Sequence, residues 1–300
     1  MSLTAGTVQK LIVVREVSPH GYFLTDREQE VLIHYTEVQG EIKPGDEVEV
    51  FLYFDTEDRL TATRRKPLIT LGEVALLEVV DIHPRFGCFL EMGLGRHLLL
   101  PYRELPEFDE LRPVVGDKVF VELAHDRQGR LVAKVAGEDQ LKPLCFRAPD
   151  SWRNQKVQAR VYKPLQMGTF VVCEGGVLGF GAIGLIHSTE RTRLLRLGES
   201  VEVRVTFVRE DGNVNCSMRE SKEVGRDEDA DKLLTFLKER PNGAMPYSDQ
   251  TEADLITKRF GMSKSAFKRA LGKLMKEGLV YQESSWTYLK KDDKQPGSEA

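Results

Sequence analysis

Gly21-Tyr22-Phe23, Leu32-Ile33-His34, Gly45-Asp46-Glu47-Val48-Glu49-Val50 and Asp55-Thr56-Glu57-Asp58-Arg59-Leu60 form a short grammar that the chain writes three times. The second copy reads Gly87-Cys88-Phe89, Leu99-Leu100-Pro101, Gly116-Asp117-Lys118-Val119-Phe120-Val121 and Asp126-Arg127-Gln128-Gly129-Arg130-Leu131. The third reads Gly168-Thr169-Phe170, Leu185-Ile186-His187, Gly198-Glu199-Ser200-Val201-Glu202-Val203 and Glu210-Asp211-Gly212-Asn213-Val214. Each copy alternates short β-prone runs with Gly and Asp turns, which specifies about five short strands, the size of an OB barrel. Repetition at this scale sets the architecture. The expectation is a mainly β, multidomain chain with barrels at residues 1–67, 68–141 and 142–222, the third preceded by an irregular stretch through Pro143, Pro149 and Trp152.

After Arg219-Glu220 the polar and acidic run from Ser221 to Asp229 reads as a linker. Beyond it the period changes. Leu233, Leu234 and Leu237 repeat at helical spacing, Asp254 to Phe260 carries a second short helix, and Ser263 is placed to cap a third that stops before Gly278. Leu279-Val280-Tyr281 and Trp286-Thr287-Tyr288-Leu289 flank a polar turn and read as a hairpin. Three helices and a hairpin make a winged helix-turn-helix, an α+β domain expected at residues 229–291. The charged tail at 292–300, with Pro296 and Gly297, is expected to be disordered.

Composition narrows little: 300 residues, 41% hydrophobic and 30% charged, are ordinary for a soluble multidomain protein. The N-terminal residues lack the basic head and apolar stretch of a secretory signal, and no run reaches the roughly 18 apolar residues of a membrane span. Cys88, Cys145, Cys173 and Cys216 stand singly and read as buried thiols of a reducing, cytoplasmic protein. The net charge of −4 argues against a general polyanion binder, but the charge is unevenly distributed. Between residues 258 and 276 stand Lys258, Arg259, Lys264, Lys268, Arg269, Lys273 and Lys276, with no acid among them.

At 100° per residue the third helix places Ala266, Phe267, Ala270, Leu271 and Leu274 on one side and Lys264, Lys268, Arg269, Lys273 and Lys276 on the other. Solvated helix faces normally mix signs, so a wholly basic one points to phosphates. Ser265 and Gly272 lie within that half and leave room for a close backbone approach. In the barrels, Phe in a strand is core by default. His20 and Phe23, or Phe86 and Phe89, share a face only if the intervening glycine makes a bulge. Exposed on an OB barrel, such rings stack on bases with little regard for sequence.

The Gly-x-Phe strand, the Leu-Ile-His triplet and the acidic turn ending in Arg resemble the S1 RNA-binding domain. In that family the RNA surface comprises an aromatic before the glycine, the Phe two after it, the His of the triplet, and an Asp and an Arg four apart. The resemblance implies His20, Phe23, His34, Asp55 and Arg59 in the first copy, and Phe86, Phe89, Asp126 and Arg130 in the second, where Pro101 replaces the His. In the third it implies Phe170 and His187, with Met167 before the glycine, Asn213 in place of the Arg, and Arg219 after the last strand. Three such barrels followed by a winged helix, with Phe54 to Thr63 and Val208 to Gly212, resemble the bacterial conserved virulence factor B (CvfB, YitL-like) family. That resemblance implies RNA binding linked to regulation of gene expression and no catalytic residues.

Gly179-Phe180-Gly181-Ala182-Ile183-Gly184 satisfies G-x-G-x-x-G, but a dinucleotide site needs a strand before it and a helix opening within it. Lying before Leu185-Ile186-His187, it reads as a long, flexible strand connection. His34 and His187 have no local Ser or Cys nucleophile, and no metal-binding motif or cofactor site is recognised. The expectation is an elongated, non-catalytic, cytoplasmic protein that binds single-stranded RNA, with the ribosome or mRNA as its setting and no membrane, metal, cofactor or small-molecule substrate. The alternatives are a DNA-binding transcription regulator and a ribosome-associated scaffold.

Overall fold

The computed structural model describes residues 3–175, 179–220 and 222–290, apart from the side chains of 222–226. The disordered tail expected at 292–300 lies outside the described residues. The chain divides into two units, residues 1–219 and 220–300.

The first unit contains the three barrels. In the first, β1 (Val8–Val17), β2 (Gly21–Thr25), β3 (Glu30–His34), β4 (Glu47–Phe54) and β5 (Leu60–Thr63) close in the order β1-β2-β3-β5-β4. The closing pair β3/β5 is parallel, with Leu32 opposite Thr61. Alternation decides what is inside: Val48, Val50 and Leu52 of β4 are buried with Leu11, Val13, Leu24 and Ile33, while Glu47 and Glu49 face water. The second barrel is built from β6 (Val74–His83), β7 (Gly87–Glu91), β8 (His97–Pro101), β9 (Lys118–His125) and β10 (Leu131–Val135), in the order β10-β9-β6-β7-β8. Its outer strands β8 and β10 approach without a hydrogen-bonded ladder among the described residues. A one-turn helix α1 (Glu138–Leu141) leads to the third. There β11 (Lys156–Leu165), β12 (Gly168–Glu174), β13 (Gly181–His187), β14 (Ser200–Val208) and β15 (Val214–Ser217) close as in the first.

The bulge lies elsewhere than expected. In all three barrels it falls in the first strand, between Val13 and Arg15, Val79 and Asp81, and Val161 and Lys163. The glycine instead admits a neighbouring backbone: Gly21 has φ +152° and a Cβ there would stand 2.0 Å from the Ile33 carbonyl oxygen, while at Gly87 (φ +126°) it would stand 2.1 Å from that of Leu100. The G-x-G-x-x-G run is also not a flexible connection. Gly181 to Gly184 belong to β13, paired with β12 from Glu174↔Gly181 to Val171↔Gly184. A Cβ on Gly181 would overlap the Cys173 carbonyl oxygen at 1.7 Å, so this glycine serves close strand packing.

The barrels share their cores. Phe51 of the first and Leu197 of the third are buried in the cluster that fills the second, with Leu77, Leu90, Leu100 and Leu123. Phe120 is buried with Tyr162, Val172 and Ile183 at the second junction, its ring 5.5 Å from that of Phe180.

The second unit holds α2 (Lys222–Lys238), β16 (Ala244–Met245), α3 (Ala253–Phe260), α4 (Lys264–Lys276), β17 (Val280–Glu283) and β18 (Trp286–Leu289). The expected linker is largely helix, because α2 begins at Lys222. Its Lys, Glu, Arg and Asp residues are compatible with helix. Ser263 caps α4, its hydroxyl accepting from the Ala266 N–H at 3.2 Å, and Gly278 follows the helix at φ +70°. Phe267, Ala270, Leu271 and Leu274 are buried against Leu233, Leu237, Ile256 and Val280. The hairpin gains a third strand, β16, in the order β16-β18-β17.

Candidate nucleic-acid interface

Register places the same outward face on all three barrels. Gly21 lies opposite His34 and Phe23 opposite Leu32 on β3, while across β1 Phe23 faces Arg15. The residue after the triplet donates its N–H to the carbonyl of the residue before the glycine: Tyr35 to His20 at 3.2 Å, Tyr102 to Phe86 at 2.9 Å and Ser188 to Met167 at 3.2 Å. His20 or its counterpart therefore stands beside the triplet.

In the first barrel His20 and His34 are exposed and the Phe23 ring is half-buried under the Arg15 guanidinium, 4.6 Å from its centroid. Arg15 is held by both oxygens of Glu30, each at 2.7 Å. His34 Nδ1 accepts from the Thr36 N–H at 3.4 Å and lies 3.0 Å from its hydroxyl, leaving Nε2 as the edge open to a ligand. Tyr35, not anticipated from the repeat, adds an exposed ring that meets Tyr22 edge-on at 5.5 Å. Its hydroxyl donates to Glu16 at 2.6 Å, and that bond, with burial and the charge of Glu16 behind it, pushes its pKa up to about 12.

The third barrel repeats this arrangement. His187 is exposed, with Nδ1 2.8 Å from the Thr189 hydroxyl and accepting from its N–H at 3.3 Å. Lys163 stands opposite Phe170, its Nζ 5.8 Å from the ring centroid. Phe170 is half-buried against the second junction, while Met167 is 80% exposed. Arg219 donates through Nε to the Thr189 carbonyl at 2.8 Å, which ties it to the His187 turn. The second barrel departs: Asp81 faces Phe89, Pro101 faces Gly87, and exposed Phe86 stacks on His83 at 4.4 Å.

The Asp and Arg of the β4–β5 turn are consumed by each other. Asp55 accepts from the N–H groups of Glu57 (2.8 Å) and Arg59 (3.0 Å), and its other oxygen takes the Arg59 guanidinium at 2.8 and 2.9 Å. Asp126 and Arg130 repeat this within 0.1 Å. Desolvation pushes both aspartates up, but the backbone and guanidinium bonds outweigh it and hold them below the usual carboxylate range. In the third barrel the Asp position is Arg209, whose N–H donates to the Asn213 carbonyl at 2.8 Å and whose guanidinium pairs with Asp211 at 2.9 Å. The position of the paired aspartate thus carries a cation there.

On α4, Lys268, Arg269 and Lys276 are exposed and form no ion pair among the described residues. Lys273 departs from the uninterrupted ridge read from the helical wheel. It is half-buried, bonded to Asp227 at 2.8 Å with Glu277 at 3.7 Å, and the Asp227 bond raises its pKa. Asp227 comes from α2, which a wheel of α4 alone cannot show, and Glu277 caps α4 one residue past the basic run. Lys258 is exposed and Lys264 half-buried. Arg259 lies 4.9 Å over the Phe236 ring in a cleft lined by Glu228, Asp231 and Glu239. Gly272 is exposed with nothing within 4 Å of a Cβ placed on it. Among the described residues no group of three or more His, Cys, Asp or Glu could hold a metal ion, and no helix is long and apolar enough to cross a membrane.

The comparisons with known proteins follow the same divisions. Residues 5–65 match the S1 domain, 75–134 the CvfB first S1-like domain, 142–220 the second domain of virulence regulatory factor CvfB, and 231–289 the CvfB-like winged helix domain. An uncharacterised protein, YitL, of Bacillus subtilis is 43% identical over 90% of this chain and 89% of its own. Conserved virulence factor B of Staphylococcus saprophyticus is 33% identical over 85% and 84%. A crystal structure of a multidomain protein with nucleic acid binding domains from Streptococcus pneumoniae covers 95% of this chain and 98% of that one, at 29% identity and a TM-score of 0.62. S1 and winged-helix domains are both nucleic-acid-binding types.

Proposed function

The chain belongs to the conserved virulence factor B family, and from that premise we propose that it is a non-catalytic protein of the bacterial cytoplasm that binds single-stranded RNA in post-transcriptional regulation of gene expression. The observation that carries this reading is the ring beneath a cation beside a capped imidazole, built twice from separate sequence: Arg15, Phe23 and His34 in the first barrel, Lys163, Phe170 and His187 in the third. Rings of this kind stack on unpaired bases, and the adjacent cation suits the phosphate. His20, Phe86 and Phe89 extend the aromatic surface. Arg59, Arg130, Arg219, Lys258, Arg259 and Lys264 contribute to the field, with Lys268, Arg269 and Lys276 as the principal phosphate contacts and Lys273 as a support for them. Asp55 and Asp126 shape the turns that carry Arg59 and Arg130. Weak sites on one chain add through effective concentration.

Binding of a labelled single-stranded RNA and of a duplex DNA across a salt series tests this. RNA is expected to bind more tightly. Lys268→Ala with Arg269→Ala lowers its affinity and reduces the salt slope by about 1.4, at about 0.7 for each phosphate no longer neutralised. Phe23→Ala or Phe170→Ala lowers affinity by about 1–3 kcal/mol with the slope unchanged. Preference for the duplex, with the Phe substitutions silent, transfers the protein to the DNA-binding regulators; no binding to either leaves the scaffold reading.

A further inference from the structure

The wing of the second unit carries an aromatic face that neither the barrels nor α4 accounts for. β17 and β18 pair antiparallel with Tyr281 opposite Tyr288 and Glu283 opposite Trp286, so these four side chains share one face. Val280 and Thr287 lie on the other face and are buried. On the outer face three rings form a stack. Tyr281 and Tyr288 have centroids 5.2 Å apart with planes at 18°, and Trp286 and Tyr288 are 6.4 Å apart at 25°. Tyr288 is the middle ring. The two terminal rings, Tyr281 and Trp286, remain 46% and 41% exposed. The core of this unit is filled without them, by Leu233, Leu237, Ile256, Phe267, Leu271 and Leu274.

We infer that this stack is a base-stacking platform, on which unpaired bases of an RNA strand continue the ring stack at its Trp286 and Tyr281 ends. The inference rests on the RNA reading above and adds to it the element that separates single strands from duplexes, since bases in a duplex have their faces already covered. The occupant follows from what adjoins the platform. α4 runs through Glu277, Gly278 and Leu279 directly into β17, so the exposed Lys276 lies five residues before Tyr281 on continuous chain. Phosphates neutralised by Lys268, Arg269 and Lys276 leave bases to be placed, and stacking on exposed rings tolerates any base. The one carboxylate on the aromatic face, Glu283, does not make it an acidic surface.

The sequence offers a direct probe, because it holds only two tryptophans. Trp152→Phe leaves Trp286 alone, and the full-length protein is titrated with a short single-stranded oligoadenylate RNA and with the same RNA annealed to its complement. Saturable quenching by the single strand and none by the duplex is expected. Trp286→Ala and Tyr281→Ala each weaken single-strand binding about five- to a hundredfold with the salt slope unchanged. If Trp286→Ala does not fold, the quenching and Tyr281→Ala decide. Tight binding without quenching, and with Tyr281→Ala unaffected, overturns the platform and leaves the RNA reading standing; failure of every variant, the parent included, to bind any single strand overturns both.

Discussion

A single methyl group separates two kinds of glycine in this chain. Gly21 and Gly45 both have positive φ, but a Cβ at Gly21 meets the Ile33 carbonyl oxygen at 2.0 Å, whereas at Gly45 nothing lies within 4 Å. Gly21→Ala is expected to lower stability by about 2–4 kcal/mol through strain and overlap, and Gly45→Ala by about 1–2 kcal/mol from conformation alone, read as shifts in the urea midpoint. Glu199, 7% exposed, contributes a pH-dependent term. Burial raises its pKa, but the hydrogen bond from Arg193 at 2.5 Å and that from the Arg196 N–H at 2.9 Å win, and the net shift is downward. A depressed carboxylate stabilises fully above its unfolded pKa of about 4.3 and loses that contribution as pH falls through the folded value. Glu199→Gln is therefore expected to cost about 1–3 kcal/mol at pH 7, with the gap to the parent narrowing below about pH 4 in denaturation curves taken at each pH. The Gly-Glu dipeptide was legible in the sequence; the two arginines that depress the carboxylate belong to a loop whose path the sequence does not state.

At the scale of the element, one register position ranks the barrels. Opposite the stacking Phe stand Arg15, Asp81 and Lys163. A carboxylate there repels a phosphodiester, so Phe89→Ala is expected to weaken RNA binding less than Phe23→Ala, and Asp81→Lys to strengthen it by about 1 kcal/mol at low salt, measured by titration at two ionic strengths. The position was hidden in the sequence because the first-strand bulge shifts the pairing by one residue. On α4 the buried and basic halves were legible from period alone. The pairing of Lys273 with Asp227 was not, because it joins two helices whose residues are far apart along the chain.

In the first unit the barrels stabilise one another. Phe51, on a strand of the first barrel, is 1% exposed within the core of the second, and Phe120 is fully buried at the next junction. Phe51→Ala is expected to cost about 3–5 kcal/mol. Hydrogen exchange is then expected to speed up in both the first and second barrels, where a barrel standing alone would confine the effect to itself. Within the second unit, α2 and α4 bring Asp227 to Lys273 while the wing presents its rings on the sheet that β16 completes.

The order of residues alone dictated the count and kind of the parts: three five-stranded barrels from a threefold grammar of glycines, triplets and acidic turns, and a winged helix from the change of period and its caps. Those signals are local, carried by residues within a few positions of one another, and backbone sterics and alternating burial translate them without knowledge of the rest. Which charges and rings remain free was settled by folding. Arg59 and Arg130 are spent on their turns, Lys273 on a neighbouring helix, and Phe51 is drawn into a junction, while Phe23 and Phe170 stay half-buried beneath their cations and Tyr281 and Trp286 are left in the open. Coulomb pairing and burial depend on distances in space between residues remote in sequence, and only the folded chain sets those distances.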